Sequence, residues 1–374
     1  MGFGVTSDWI NQTSDWIQAK AGRTAGIWIA LGLMVAAGIY VRPAVKAVVL
    51  GLQYAALSDD LSRAFTGNPV AFRILTPLIS NLLGFHGHLI IITNLLVAAA
   101  LLATIYYLFK ARTGSSGDAL AATAVIAFSL VTLTTIYYGG YTDSMTYLLV
   151  FLMWWFRQKR LIFYVLFLLA LLNRECVLFL IPWYAYLRWV EISSKLRATV
   201  DLATGFALVL CLYMTFRWWM GSQGIISLGW EYYLSPLARD PLYWLKDTYP
   251  LCGLGLFTVL KLCWCVPILA GWDLWRRGKR SEVYSMMILT ICVLAQLLVA
   301  VDSSRMMTLV FPVVLMGLLH LFQTNAFSFR SWVGYLLVGN LLVPQLYTAA
   351  SFVEVMRSVP GNIVMILLQG KGSW

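Results

Sequence analysis

Midway along the chain, LLALLNRECVLFLIPWY sets Asn173, Arg174 and Glu175 inside a run that is otherwise as apolar as hydrocarbon. Four more segments bring charge into similar surroundings: ALSDDLSRAF with Asp59, Asp60 and Arg63, FRILTP with Arg73, GGYTDS with Asp143, and VDSSR with Asp302 and Arg305. Carboxylates and guanidiniums in such a mixture suit a reaction whose leaving group is an anion. A carboxylate takes the proton of an attacking hydroxyl, and arginines hold a departing phosphate through paired N–H donors. Trp230, Tyr232, Tyr233, Trp244 and Tyr249, with Arg239 among them, offer flat faces on which sugars stack; they equally suit an interfacial aromatic belt.

Each of these residues also has a plainer reading. Ser58 or an aspartate beside it can cap a solvated helix start, Asp143 can cap a helix beginning at Ser144, and Asp302 and Arg305 are spaced for a local helix pair. Arg73 can anchor a lipid head group from an amphipathic stretch. Arg174 and Glu175 are harder to dismiss. Adjacent residues do not face one another on a helix, so these two should have different partners rather than neutralise each other.

The elements that must position these groups follow from composition. The 374 residues are 60% hydrophobic and only 11% charged, with a mean hydropathy of +0.78, whereas a soluble domain carries about a quarter of its residues as charges. Long apolar runs recur from Ile27 to Ser351 without the period-two alternation of barrel strands. The chain is therefore expected to be an all-α, polytopic membrane protein forming one integral-membrane domain over 1–374. Its candidate spans are 26–41, 88–109, 119–138, 144–156, 161–173, 176–190, 202–219, 252–272, 284–301, 306–322 and 331–353. Ahead of them, TSDWINQ and TSDWIQA repeat and align Trp9, Ile10, Thr13, Trp16 and Ile17 on one face, predicting an interfacial helix over 1–23 rather than a cleavable signal.

The net charge of +11 does not imply nucleic acid, because the basic residues lie in clusters between apolar runs. With the N-terminus inside, 110–118, 157–160, 188–197, 272–282 and the stretch ending at Arg330 all become cytoplasmic, as the positive-inside rule requires. The external set is then 42–87, 139–144, 173–175, 220–251 and 301–305, which holds nearly every acid that is not beside a basic cluster. The spans 144–156, 161–173 and 176–190 are short for a bilayer core, so YTDS and NRE are expected to dip below the head groups. Charge at that depth is paired or lines a wet cavity. His86 and His88 can share a strand face, but His320 falls on the other side, and Cys263 and Cys265 are too closely spaced for a tetrahedral site. The carboxylates can host a divalent cation, and nothing requires one.

An external acidic loop (Asp59, Asp60), an RxLxP element (Arg73, Leu75, Pro77), and then YTDS, NRE and DSSR resemble the GT-C superfamily in motif order and topology. These are integral-membrane glycosyltransferases that use polyprenyl-phosphate sugars. The resemblance implies inverting transfer to a glycolipid or cell-envelope glycan acceptor, with Asp60 or Asp59 as base. It makes Arg63, Arg73, Arg174 and Arg305 the donor-phosphate candidates, with Asp143, Glu175 and Asp302 shaping the substrate pocket. It also implies a multi-pass protein whose active site faces outward, with membrane lipids and no nucleic acid as partners; the short loops and compact length point to a bacterial inner membrane rather than an endoplasmic reticulum. A transporter or flippase for an anionic or lipid-linked substrate is the principal rival, and the absence of an internal repeat beyond the N-terminal heptad counts against it. A polysaccharide polymerase or ligase and a non-catalytic assembly subunit complete the set.

Overall fold

Backbone buried away from water must satisfy its own hydrogen bonds, and helices do so within one segment. The computed structural model describes residues 22–62, 69–222, 240, 243–298, 302–349, 352–356, 358 and 362, and they are predominantly helical. The expected interfacial helix over 1–23 lies outside the described residues except for its last two positions, 22 and 23. The first helix, α1 (Ala25–Tyr40), leads to α2 (Leu50–Asp59), α3 (Leu75–Leu82) and the long α4 (Ile90–Thr113). α4 ends at Gly114, whose φ of 71° supplies the left-handed turn that closes many helices. Ser115 then caps α5 (Ser116–Ala127) by accepting from Asp118 N at 3.2 Å.

A 50° bend separates α5 from α6 (Leu130–Tyr137). Next come α7 (Asp143–Trp155), α8 (Arg160–Asn173), a 3-10 turn over Glu175–Leu180, α9 (Ile181–Glu191) and α10 (Lys195–Ser222). The second half comprises α11 (Tyr243–Leu260), α12 (Cys265–Arg276), α13 (Arg280–Ala295), α14 (Ser303–Met307), α15 (Phe311–Thr324) and α16 (Phe329–Leu342). The core forms where α4 packs on α1, α5 and α7, where α7 packs on α8, and where α12 packs on α15. Tyr106, Phe109, Phe151 and Phe311 are fully buried there.

Among the described residues, six stretches are long and apolar enough to cross a membrane, or seven when the bent α5–α6 pair is taken as one. Eleven were expected. The difference falls where the sequence already gave short runs: α7 has 13 residues and α8 has 14, and α9 has 11 behind its 3-10 turn. The last expected span, 331–353, is corrected outright. α16 stops at Leu342, Val343 turns extended ahead of Pro344, and the chain continues as a hairpin. Its strands β1 (Leu346–Ala349) and β2 (Phe352–Val355) pair antiparallel, with Tyr347 opposite Glu354.

The two long external loops also differ from expectation. The region 42–87 contains α2 and α3, and α11 begins at Tyr243 inside the expected loop 220–251. Asp59 ends a helix rather than starting one. His86 and His88 flank no strand; His86 precedes a 3-10 turn over Gly87–Leu89.

α2 reaches the site through a glycine contact. A Cβ on Gly51 would run into the carbonyl oxygen of Gly139, and one on Gly140 (φ +88°) would lie 2.9 Å from Gly51 Cα. Backbone cannot move aside as a side chain can. Gly51→Ala is therefore expected to lose about 1–3 kcal/mol in thermal unfolding in detergent, the usual size of an overpacking cost. Gly32→Ala, where nothing lies within 4 Å of the added methyl, should melt like the wild type.

Candidate functional site

The NRE turn forms because α8 ends at Asn173 and Arg174 takes an extended conformation (φ −163°, ψ 122°) before the 3-10 turn begins at Glu175. Asn173 is fully buried and ties the turn down. Its Nδ2 donates to Thr142 O at 3.0 Å and Thr146 Oγ1 at 2.8 Å, and its Oδ1 accepts from Thr76 Oγ1 at 2.6 Å. One asparagine thus joins YTDS, NRE and the FRILTP segment.

From that turn the charges diverge. Glu175 accepts two hydrogen bonds from Arg73, Nε to Oε2 and Nη2 to Oε1, both at 2.9 Å, and Arg73 Nη1 donates to Tyr54 Oη of α2 at 3.2 Å. Burial pushes the Glu175 carboxyl up, but the Arg73 guanidinium outweighs it and holds the group at about 2. Arg174 turns the other way and ion-pairs with Asp143, the first residue of α7. Its Nη2 also lies 3.8 Å from Met306 Sδ, and its buried Nε has no hydrogen-bond partner among the described residues.

Asp143 is 1% exposed and serves a second arginine as well. Arg305 donates to it from Nε at 2.8 Å and from Nη2 at 3.2 Å, gives Nη1 to Asp302 Oδ2 at 2.9 Å, and sits 4.3 Å over the Tyr141 ring. Asp302 caps α14 and accepts from Tyr347 Oη at 2.7 Å. The plain reading of Asp302 and Arg305 as a local pair therefore holds, but it is a fraction of what these groups do. Asp143 makes no side-chain cap.

The hairpin is fastened to this network. Ser304 Oγ donates to Thr348 O at 3.0 Å, Ser303 Oγ lies 2.8 Å from Thr348 Oγ1, and Glu354 accepts from Tyr137 Oη at 2.9 Å and Tyr138 Oη at 2.5 Å. Tyr138 stacks on Tyr141 and packs against Tyr347. On the other flank, Arg217 of α10 stacks 4.0 Å from the Phe72 ring and donates to Tyr213 Oη at 3.2 Å.

Of the residues picked out by sequence, Arg73, Arg174, Glu175, Asp143, Asp302 and Arg305 thus gather at one end of the helices. Asp59 and Asp60 do not join them. Both are exposed, at the far end of the helix that carries Tyr54. Asp60 accepts from Ser62 N at 3.0 Å and Ser62 Oγ at 2.6 Å, and the Asp59 carboxylate lies against Gly87. Arg63, Arg239, Trp230, Tyr232 and Tyr233 lie outside the described residues, and Trp244 and Tyr249 are placed only as backbone of α11.

Tyr54, Arg217, Tyr347 and Glu354 were not anticipated. Glu354 carries the same signal as NRE, an acid beside an apolar run, but falls one residue past the expected last span, 331–353. At the opposite end, His320 Nε2 lies 2.7 Å from Asp273. Among the described residues no group of three His, Cys, Asp or Glu is arranged to hold a metal ion, and the cysteines are free thiols.

Chemically, the network sets three guanidiniums (Arg73, Arg174, Arg305) against three carboxylates (Glu175, Asp143, Asp302), with Asp143, Arg174 and Arg305 deeply buried and Asp302 and Glu175 partly so. Such an arrangement is preorganised and near neutral. An incoming phosphate competes with carboxylates for N–H donors, so binding and internal pairing trade against each other. Compared with known proteins, the chain matches no family model, no curated protein and no solved structure.

Proposed function

We propose that the chain is a membrane glycosyltransferase of the GT-C kind, transferring a sugar with inversion from a polyprenyl-phosphate donor to a hydroxyl of a glycolipid or cell-envelope glycan. The observation that carries this reading is the buried network linking Arg73–Glu175 with Arg174, Asp143, Arg305 and Asp302. Charge at membrane depth is costly and is found where function needs it. In the reaction, the acceptor oxygen bonds to the anomeric carbon as the bond to the phosphate oxygen breaks. The phosphate leaves with the electron pair toward the arginines, and a carboxylate takes the acceptor proton.

Asp59 and Asp60 are the proposed bases. Asp59 suits the role better, since it is exposed and its carboxylate makes no hydrogen bond among the described residues, whereas Asp60 is held by Ser62. In this reading the bent α5–α6 pair together with α7, α8 and α9 brings the six long spans to a ten-crossing or partly re-entrant topology. The basic ends lie in the cytoplasm of a bacterial cell, and the ion network opens outward from the inner membrane. Asp59→Asn and Asp60→Asn test the base: one of them, and the double variant, should lose sugar transfer with unchanged thermal unfolding. Full turnover in the double variant would remove both from the chemistry.

The transporter reading draws on one observation, the broken helices. α5 and α6 meet at 50°, and Lys261, fully buried between α11 and α12, has a φ of 48°. Discontinuous helices line transport sites.

A further inference from the structure

A concavity lies at the end of the molecule opposite the arginine–carboxylate network, where α7, α9 and α15 finish and α13 starts. It is a cavity of about 250 Å³ whose walls include Leu187, Leu274, Met286 and Met316, with Arg157 and Lys279 at its polar margin. Apolar walls under a charged rim fit an amphiphile: the walls take hydrocarbon and the rim takes a head group.

The sign of that head group follows from which rim charges are already committed. Glu191 accepts from Arg157 Nε through Oε1 and from Gln158 Nε2 through Oε2, each at 2.7 Å. Glu282 accepts from Ser281 Oγ at 2.7 Å, and Asp273 is engaged by Arg277 at 2.6 Å and His320 at 2.7 Å. Each acid at this rim therefore already faces a donor from the protein. Lys279, by contrast, is exposed and its ammonium makes no hydrogen bond or ion pair among the described residues; Arg276, Arg277 and Arg280 flank it, all exposed. Arg157, Arg276, Arg277, Lys279 and Arg280 set against Asp273, Glu191 and Glu282 leave the surroundings of the rim net positive.

Trp272 and Trp275 are exposed on the same turn, 60% and 49%, and amphipathic rings of this type sit at head-group level. We propose that this cavity binds an anionic phospholipid, its phosphate at Lys279 and one acyl chain against Met286 and Met316. Basic pockets between membrane helices recognise acidic head groups in this way. The cavity is smaller than an ordinary small-molecule site, which suits one end of a lipid rather than a whole soluble ligand. The inference does not depend on the glycosyltransferase reading.

The test uses the full-length protein, delipidated in detergent, with thermal unfolding read after adding phosphatidylglycerol, phosphatidylcholine or water-soluble glycerol phosphate. Native mass spectrometry then counts retained lipid. Phosphatidylglycerol should raise the melting temperature by several degrees more than phosphatidylcholine, with one lipid retained. Lys279→Gln should shrink that difference, and Met316→Trp, which fills the cavity and keeps the basic rim, should abolish both the difference and the retained lipid. Leu319→Phe is the milder filling variant should Met316→Trp not fold. Equal shifts from both phospholipids, an undiminished preference in the filled variants, or the same shift from glycerol phosphate would each overturn the proposal.

Discussion

Asp143→Asn is expected to be the most damaging single change in the described protein. It removes the carboxylate shared by Arg174 and Arg305, whose side chains are 4% and 3% exposed. Two guanidiniums then face each other in a site that water does not reach. Breaking a buried pair from one side costs about 3–5 kcal/mol, because the remaining charge stays desolvated. The variant should unfold at markedly lower temperature in detergent and show no sugar transfer. Asp143→Asn combined with Arg174→Met removes one charge of each sign, so it should recover part of the stability and none of the transfer. Wild-type melting for Asp143→Asn alone would mean that the shared pair is not formed.

Arg174→Ala separates folding from substrate use. Its loss leaves Asp143 still held by two donors of Arg305, at 2.8 and 3.2 Å, so stability should fall far less than for Asp143→Asn. In the proposed reaction the guanidinium contacts the donor phosphate. A hydrogen bond to a charged group is worth about 1.5–3 kcal/mol, which at about 1.4 kcal/mol per tenfold predicts a roughly 10- to 150-fold loss in kcat/KM for the lipid donor. The dependence on acceptor concentration should hardly move. An unchanged donor dependence would assign Arg174 to structure alone. Arg305→Ala is a poorer probe, since it strips Asp302 and Asp143 together.

How much of this was legible in the sequence depends on the range of the interaction. The separate fates of Arg174 and Glu175 follow from local geometry, because consecutive residues in a turn point apart; one meets Asp143 and the other Arg73. That YTDS, NRE and DSSR share one end follows from counting apolar runs, even though Asp143 and Arg305 are 162 positions apart. Topology alone fixes the end a residue occupies, but not its neighbours around the helix bundle. Tyr54 on Arg73 and Arg217 on Phe72 depend on how α2 and α10 dock, and no residue spacing encodes that. Asp59 and Asp60 illustrate the same limit: they belong to the helix that carries Tyr54 yet lie at its far end, away from the network.

The hairpin was missed for a different reason. LLVPQLYTAASFVEV is apolar enough to read as membrane helix. Pro344 was the available signal, since the residue before proline avoids helical backbone, and Glu354 was a second. Together they mark a strand pair fastened by Tyr137, Tyr138 and Ser304 rather than a span.

The most direct measurement reconstitutes the purified protein in sealed vesicles and offers it polyprenyl-phosphate sugars with a hydroxyl acceptor. The glycosyltransferase reading predicts a glycosylated product that accumulates with time, matched mole for mole by released polyprenyl phosphate. Solute or lipid crossing the vesicle membrane with every donor left intact would contradict it.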